Sequence, residues 1–347
     1  MRRKTMSMPS IKLTYLGLVI GFFFQVMISG QVYGASDAAR PEAAKMEGKV
    51  VWWTTVPIDQ SKVLADQFQK QFPSIEVDLF RTGATSLQNK IVTEARVGRH
   101  SWDIANFNGE FVLELVKQKL IAPYVSPQQA MLEDDFKDKN GYWTGLHAQP
   151  IVLGYNTRLV KKEDVPTSYE ALLNSRWRGK KISIDNEGFG LLKGLESAWQ
   201  RQRALDYLTK LASQEPVPMR GNTHRVQLVA AGEYPLLIAY AHSIEAAKHA
   251  GAPIDWLPLE PVPVQLSVIM MAANAPHPNS AKRFIDFLLS REAQVAMRTM
   301  KRIPLRKDVE PDPARLLKGY KRVALQPEGY TDIRRLVQVY REIFNVH

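Results

Sequence analysis

The side chains in this sequence that are best suited to chemistry are hydroxyl, amide and guanidinium groups that follow predicted strands. These residues are Thr54, Thr55, Arg81, Thr82, Asn106, Asn108, Asn186, Asn222, Thr223 and Arg225. Such groups donate hydrogen bonds to the oxygens of carboxylates, phosphonates and phosphate esters, and an arginine can donate two in parallel. Their placement at strand ends and helix starts therefore favours a site for a small polar or anionic organic solute.

Three aromatic side chains extend this candidate site. Trp53 could stack on a flat or cationic ligand, although one indole of the Trp52-Trp53 pair must face the core of its strand. Tyr240 and His242 follow a later predicted strand and could form half of a metal site. Two ligands are too few to hold a metal ion, so no metal is predicted.

Two acidic residues keep a cationic solute open as an alternative. Asp185 and Glu187 lie in the turn after another predicted strand. There they could receive an amine-bearing solute such as a polyamine or a thiamine-type cation. Capping of the next helix is the simpler role for Asp185.

The motifs of exported hydrolases do not occur in this chain. It has no Gly-x-Ser-x-Gly, no His-Glu-x-x-His, no Ser-x-x-Lys with its accompanying motifs and no cysteine nucleophile. Its 7 histidines lie at no recognised metal or catalytic spacing. We therefore predict no enzymatic activity and no cofactor.

The start of the chain has the layout of a secretory signal peptide. Four basic residues flank or precede an apolar run over residues 13–28, and small residues follow it. Cleavage is predicted after Gly34, which gives a signal peptide over residues 1–34, a loose leader over residues 35–47 and a periplasmic location. An uncleaved anchor is the alternative, whereas the lack of cysteine excludes a lipid anchor and a disulfide scaffold.

The distribution of positive charge along the chain argues against nucleic acid as a partner. The formal net charge of +11 falls to +7 when the four basic residues of the signal peptide are removed. Lysine and arginine are scattered, and no zinc spacing, basic leucine repeat or aromatic RNA-binding motif occurs. The remaining positive charge is consistent with an anionic solute.

Strand and helix patterns alternate three times in the first part of the chain. Strands are predicted at residues 50–53, 75–80 and 102–107, and one helix between them must end at Phe72 because Pro73 follows. This alternation predicts right-handed crossovers and a mostly parallel sheet. Ligands of such sheets bind beyond the carboxyl ends of the strands, where the candidate residues lie.

Two apolar segments, residues 143–156 and 265–272, are predicted to run between domains as strands. A second alternation of strands and helices lies between these segments, with strands at residues 181–184 and 234–239. The chain therefore predicts two α/β domains, each with its own sheet.

A pair of helices is predicted over residues 277–294. Pro278 marks the start of the first helix, which Asn279 or Ser280 can cap, and Ser290 can cap the second. The apolar residues of the first helix then fall on one face.

Several segments occur in the same order as in a known family. They are Tyr142-Trp-Thr-Gly145, Gly154-Tyr-Asn-Thr157, residues 165–172, Trp177-Arg-Gly-Lys180 and residues 284–294. Together they resemble the extracellular solute-binding proteins, a family that includes periplasmic iron(III) binders. The resemblance covers roughly residues 48–310.

The resemblance implies a periplasmic binding protein of type II, with two α/β lobes joined by two crossing strands. It assigns residues 48–152 and 263–347 to the first lobe and residues 153–262 to the second. The family captures a small-molecule solute by closing the lobes and delivers it to an ABC permease in the inner membrane. We expect a monomer, and a membrane sensor kinase is the alternative partner.

The sequence departs from the iron(III) binders at each of their ligand positions. Residues 54–58 contain no histidine, Asn108 stands where a carboxylate is expected, and the tyrosine pair is reduced to Tyr240 followed by Ala241. Iron(III) is a hard cation that requires anionic oxygen ligands. An organic solute is therefore predicted, with iron(III) as the alternative.

Overall fold

The computed structural model describes residues 40–346. The elements up to the end of the first interdomain strand are α1 (Pro41–Glu47), β1 (Lys49–Thr54), α2 (Ile58–Gln71), β2 (Glu76–Arg81), α3 (Ala84–Arg96), β3 (Ile104–Asn108), α4 (Val112–Lys117), β4 (Ile121–Ala122) and β5 (Thr144–Asn156). The later elements are β6 (Ile182–Asp185), α5 (Phe189–Ala198), α6 (Arg201–Ala212), β7 (Val217–Met219), α7 (Asn222–Ala231), β8 (Leu236–Tyr240), α8 (Ala241–His249), β9 (Ile254–Leu257), β10 (Val262–Ala272), α9 (Pro278–Leu288), α10 (Arg291–Thr299), β11 (Arg322–Leu325) and α11 (Ile333–Phe344).

The strands are hydrogen-bonded in the order β2-β1-β3-β10-β5-β8-β6-β7. Strand β1 is parallel to β2 and β3, and β6 is parallel to β7 and β8. Strands β10 and β5 lie between these two groups and pair antiparallel with each other and with their outer neighbours. The predicted α/β class, with two mostly parallel groups and two crossing strands, is confirmed.

Strand β5 belongs to both halves of the molecule. Its residues up to Pro150 pair with β10, whereas from Ile151 onward it pairs with β8. All of β5 and β10 is buried, which explains why both strands are apolar almost throughout. These two strands form the hinge between a first half, which contains β1 to β3, and a second half, which contains β6 to β8.

Each half has an apolar core built from helix faces and strands. In the first half, Trp52, Phe68 and Phe284 pack ring against ring, with centroids 5.2 and 4.7 Å apart. Helix α2 ends before Phe72, as the following proline requires. In the second half, helix α11 packs its Leu336 and Tyr340 against the core of α5 and α6. The predicted boundary assigns α11 to the first lobe, and the lobe boundaries stay a prediction.

Helix α1 stands where a loose leader is predicted. Its Glu47 carboxylate accepts hydrogen bonds from the backbone N–H groups of Asn279 and Ser280, at 3.1 and 2.7 Å. The prediction that Asn279 or Ser280 caps α9 is therefore wrong, because a distant carboxylate satisfies this helix start. Ser290 does cap α10, since its hydroxyl accepts from Ala293 N at 3.2 Å.

The predicted signal peptide, residues 1–34, lies outside the described residues, as do residues 35–39 of the leader. From residue 40 to residue 346, no helix is both long and apolar enough to cross a membrane.

Candidate functional site

The carboxyl ends of β3 and β8 meet at a cleft between the two halves, where Asn108 Nδ2 lies 3.5 Å from Tyr240 Oη. Two contacts close this cleft at its rim. Thr85 Oγ1 donates a hydrogen bond to Glu187 Oε1 at 3.4 Å, and the guanidinium of Arg220 lies beside Gly83. The structure therefore has the two halves in contact.

Arg302 reaches into the cleft from the loop after α10. Its Nε donates to Gln60 Oε1 at 2.8 Å, and its Nη1 lies 2.9 Å from His242 Nε2. No carboxylate among residues 40–346 forms an ion pair with it. Burial lowers the pKa of Arg302 to about 10; the nearby Arg81 acts in the same direction and Asp59 opposes it. Arg302 is thus a partly exposed cation that forms no ion pair in the described part of the chain.

Two buried imidazoles lie next to Arg302. Burial lowers the pKa of His147 to about 3 and that of His242 well below its usual value, and the charge of Arg302 adds to both shifts. Both rings are therefore neutral at neutral pH. Since a guanidinium only donates, His242 Nε2 accepts and its proton lies on Nδ1. The Nδ1 atoms of both rings are buried and have no hydrogen-bond partner among the described residues.

A chain of hydrogen bonds links the two halves through the hinge. Tyr240 Oη donates to Gln265 Oε1 at 2.8 Å, and Gln265 Nε2 donates to Glu110 Oε2 at 2.8 Å. Asn108 Nδ2 lies 3.5 Å from Tyr240 Oη. The Tyr240 ring also stacks on His242, with centroids 5.7 Å apart. This series of hydrogen bonds is therefore connected, through the stacked rings of Tyr240 and His242, to Arg302.

Glu110 is an unusual carboxyl group in this chain. Burial raises its pKa to about 7, and the charge of Glu187 from the second half acts in the same direction. Its hydrogen bonds to Gln265 and Asn108 oppose the shift but do not cancel it. Glu110 therefore changes its charge near neutral pH.

Arg225 supports the second half instead of facing the cleft. Its Nη1 donates to Ile238 O at 2.7 Å and its Nη2 to Asp185 Oδ2 at 2.8 Å. Asn222 Oδ1 accepts from Tyr240 N at 3.0 Å. A cavity of about 30 Å³ lies among these residues, which is room for a water molecule or two.

Several predicted site residues make contacts inside the first half. Trp53 is 3% exposed, and its ring stacks with that of Trp102, with centroids 6.1 Å apart. Buried Thr54 accepts from Val56 N through its hydroxyl, and Thr55 N donates to Asn106 O. The Asn106 side chain bonds to Trp52 Nε1 and Ser267 Oγ.

The other predicted residues lie closer to the cleft. Arg81 and Thr223 are exposed, and Thr82 is half-buried at the end of β2. Asn186 Oδ1 is buried without a partner among residues 40–346. The structure brings Asn108, Tyr240 and His242 together, as their positions after strands suggested. The ligand role of every predicted residue stays a prediction.

The residues that sequence reasoning missed are Arg302, His147, Glu110, Gln60 and Gln265. A signal did exist for the strand residues, because His147 and Gln265 are polar interruptions of otherwise apolar hinge strands. Arg302 gave none, since it lies in a loop remote in sequence from its partners. In the described chain, no three His, Cys, Asp or Glu side chains could together hold a metal ion.

Comparison with known proteins identifies the relatives of this chain. Residues 63–318 match the family model for bacterial extracellular solute-binding protein. The Fe(3+)-binding periplasmic protein of Serratia marcescens is 22% identical over 268 residues, covering 74% of this chain and 78% of that protein.

Solved structures with the same fold bind different ligands. Iron-bound HitA from Pseudomonas aeruginosa is 21% identical with a TM-score of 0.75, covering 85% of this chain and 99% of its own. AfuA from Actinobacillus pleuropneumoniae with fructose-6-phosphate bound is 19% identical with a TM-score of 0.76, covering 86% and 99%. These likenesses establish the two-lobed periplasmic binding fold of type II and do not fix a solute.

Proposed function

Because this chain belongs to the family of bacterial extracellular solute-binding proteins, we propose that it is the periplasmic binding component of an ABC importer. The solute is a small anionic organic molecule, with a carboxylate, phosphonate or phosphate ester group. Capture occurs when the two lobes close on the solute, and the closed form docks on the permease. Affinity arises because the solute contacts both lobes only in the closed form.

The observation that carries this proposal is the unpaired charge of Arg302. Arg302 is only partly exposed and forms no ion pair with a described carboxylate, and an unpaired charge with little access to water is costly. Arg81 lies near enough to lower the Arg302 pKa, and Asp59 offsets that effect in part. An anionic group on the solute would offset both charges. His242 Nδ1–H, which has no partner among residues 40–346, would donate a further hydrogen bond to it.

The same residues argue against iron(III) as the solute. Burial raises the pKa of the Tyr240 phenol, and the charges of Asp185 and Glu110 add to that shift. The phenol donates to Gln265 and is followed by Ala241 instead of a second tyrosine, whereas iron(III) requires several anionic oxygen ligands. The donor set supports an organic anion.

Titration calorimetry of the purified protein tests the proposal. The panel contains carboxylates, phosphonates and phosphate esters, with simple amines and iron(III) citrate as the competing classes. We expect anions to bind, and Arg302→Gln to weaken binding by about tenfold or more because a charge-assisted hydrogen bond is lost. Arg178→Gln, which changes an exposed arginine of the second half, is the matched control and should bind normally. The proposal would be contradicted if iron(III) or an amine bound to the protein and none of the anions did.

A further inference from the structure

The C-terminal part of the chain forms a third connection between the two halves. Strand β11 pairs with β10 over Val262–Gln265, and β10 pairs there with β5 at Gln149 and Pro150. Strand β5 changes its partner from β10 to β8 directly after Pro150. The hinge is therefore three strands wide where the halves separate. Strand β11 belongs to a longer segment, residues 312–335, which we call the C-terminal strap.

The C-terminal strap first contacts the second half, through Arg315. Its Nη2 donates to Glu245 Oε2 at 2.8 Å and to Asp255 Oδ1 at 2.7 Å, and its guanidinium lies over the Trp256 ring, 4.4 Å from the centroid. Glu245 lies on α8, and the other two residues lie on β9, which pairs with β5 beyond the hinge. Two carboxylates and one ring therefore hold this end of the strap on the second half.

Further along the chain, the C-terminal strap contacts the first half. Arg322 Nη2 forms an ion pair with Glu133 Oε2 at 2.8 Å, and Glu328 Oε1 accepts a hydrogen bond from Trp143 Nε1 at 2.8 Å. Trp143 is 2% exposed, so its indole N–H has little access to water and depends on this carboxylate. Trp143 directly precedes β5, whose first residues pair with the part of β10 that also pairs with β3. Both contacts therefore lie on the first half.

The C-terminal strap then returns to the second half. Arg335, at the start of α11, donates from Nη1 and Nη2 to the two carboxylate oxygens of Glu196 on α5, at 3.0 and 2.8 Å. This bidentate geometry is the strongest form of an arginine–carboxylate pair. Leu316 and Tyr330, which lie between the anchoring residues, are buried in the apolar cores. The spans between the anchors are therefore packed segments and not free loops.

We propose that the C-terminal strap limits how far the two halves open in the solute-free protein. This inference rests on the lobe closure of the proposed function and adds a restraint to it. The strap is anchored on the second half, the first half and the second half in turn, so any rotation about β5 and β10 changes the separation of its anchors. Such a rotation must strain or break these contacts. A restrained protein stays closer to its binding form, so less of the binding free energy of the solute is spent on closing it.

Pulsed electron resonance on the solute-free protein tests this inference. Spin labels on Asp66→Cys and Lys210→Cys, two exposed positions in different halves, report the distance between the halves. The double substitution Arg322→Gln and Glu328→Ala releases the strap from the first half. We expect it to shift the mean distance to a larger value and to widen the distribution, relative to the labelled protein without it.

Three further variants locate the restraint in the strap. Arg178→Gln with Glu215→Gln removes an exposed ion pair inside the second half and should leave the distribution unchanged. A charge swap, Glu133→Arg with Arg322→Glu, keeps an ion pair between the strap and the first half and should also leave it unchanged. Glu133→Gln alters only an exposed side chain, so it loosens the strap without disturbing the core and should shift the distribution in the same direction as the double substitution.

The outcomes separate this inference from the function on which it rests. A distribution that neither release of the strap changes overturns the inference. Equal widening by the release and by the charge swap also overturns it, because the ion pair would then not be what restrains the halves. These distances are measured without solute, so they do not depend on the solute class. A failure of every anion to bind in calorimetry would overturn the proposed function and leave the distances as they are.

Discussion

The substitution Glu110→Gln should remove the contribution of this carboxyl group to the pH dependence of stability. The Glu110 carboxyl is buried, and its pKa rises from 4.5 to about 7 in the folded protein. One pKa unit corresponds to about 1.4 kcal/mol, so ionisation of Glu110 lowers the free energy of unfolding by about 3 kcal/mol. The pKa of Glu110 is higher in the folded than in the unfolded protein. Its contribution to the free energy of unfolding is therefore fully present below pH 4.5 and is lost as the pH rises to about 7. Glutamine cannot ionise, and its amide oxygen can still accept from Gln265.

Urea unfolding at a series of pH values measures this effect. The free energy of unfolding of the wild type should fall relative to that of Glu110→Gln between pH 4.5 and about 7, with a final difference of about 3 kcal/mol. Other carboxylates titrate in the same range, so the difference between the two proteins is the relevant quantity. Glu215→Gln, which changes an exposed carboxylate paired with Arg178, serves as the surface control and should follow the wild type. Parallel curves for the wild type and Glu110→Gln would refute the reasoning.

Two further substitutions test the supports of the cleft. Arg225→Ala should destabilise the protein by about 1 to 3 kcal/mol, because it leaves the Ile238 carbonyl and the partly exposed Asp185 carboxylate without their donor; the midpoint of urea unfolding reports this, and a change within about 0.5 kcal/mol would contradict it. Tyr240→Phe removes the hydroxyl shared by Asn108 and the hinge glutamine. We expect solute affinity to fall about fivefold, for a loss of about 1 kcal/mol, with little change in unfolding. Unchanged affinity in calorimetry would show that this hydroxyl does not support the closed form.

The hinge could be predicted from the sequence because its strands carry their own signal. Residues 143–156 were predicted as a strand from their β-branched and aromatic content, and β5 runs over Thr144–Asn156. A strand buried along its whole length must be apolar, so tertiary burial is visible in the local sequence. The helix end at Phe72 was predictable for a similar reason, since Pro73 alone dictates it.

The site was predictable only where the topology places strand ends together. Asn108 and Tyr240 meet because they follow strands whose carboxyl ends share one cleft. Trp53 could not be assigned, because whether an indole faces the core or the cleft depends on which helix covers the strand. Arg302 and Glu47 act over long sequence separations, so their roles depend on packing that no local pattern encodes.

The most direct test of the central claim is a distance measurement across the cleft. The chain has no cysteine, so spin labels on Asp66→Cys in the first half and Lys210→Cys in the second are the only thiol labels, and both positions are exposed. Pulsed electron resonance then reports the distance between the halves as the tightest-binding organic anion is added. We predict that saturating solute gives one shorter and narrower distance distribution, and that Arg302→Gln requires about tenfold or more solute for the same change. A distribution that solute leaves unchanged would contradict capture by closure.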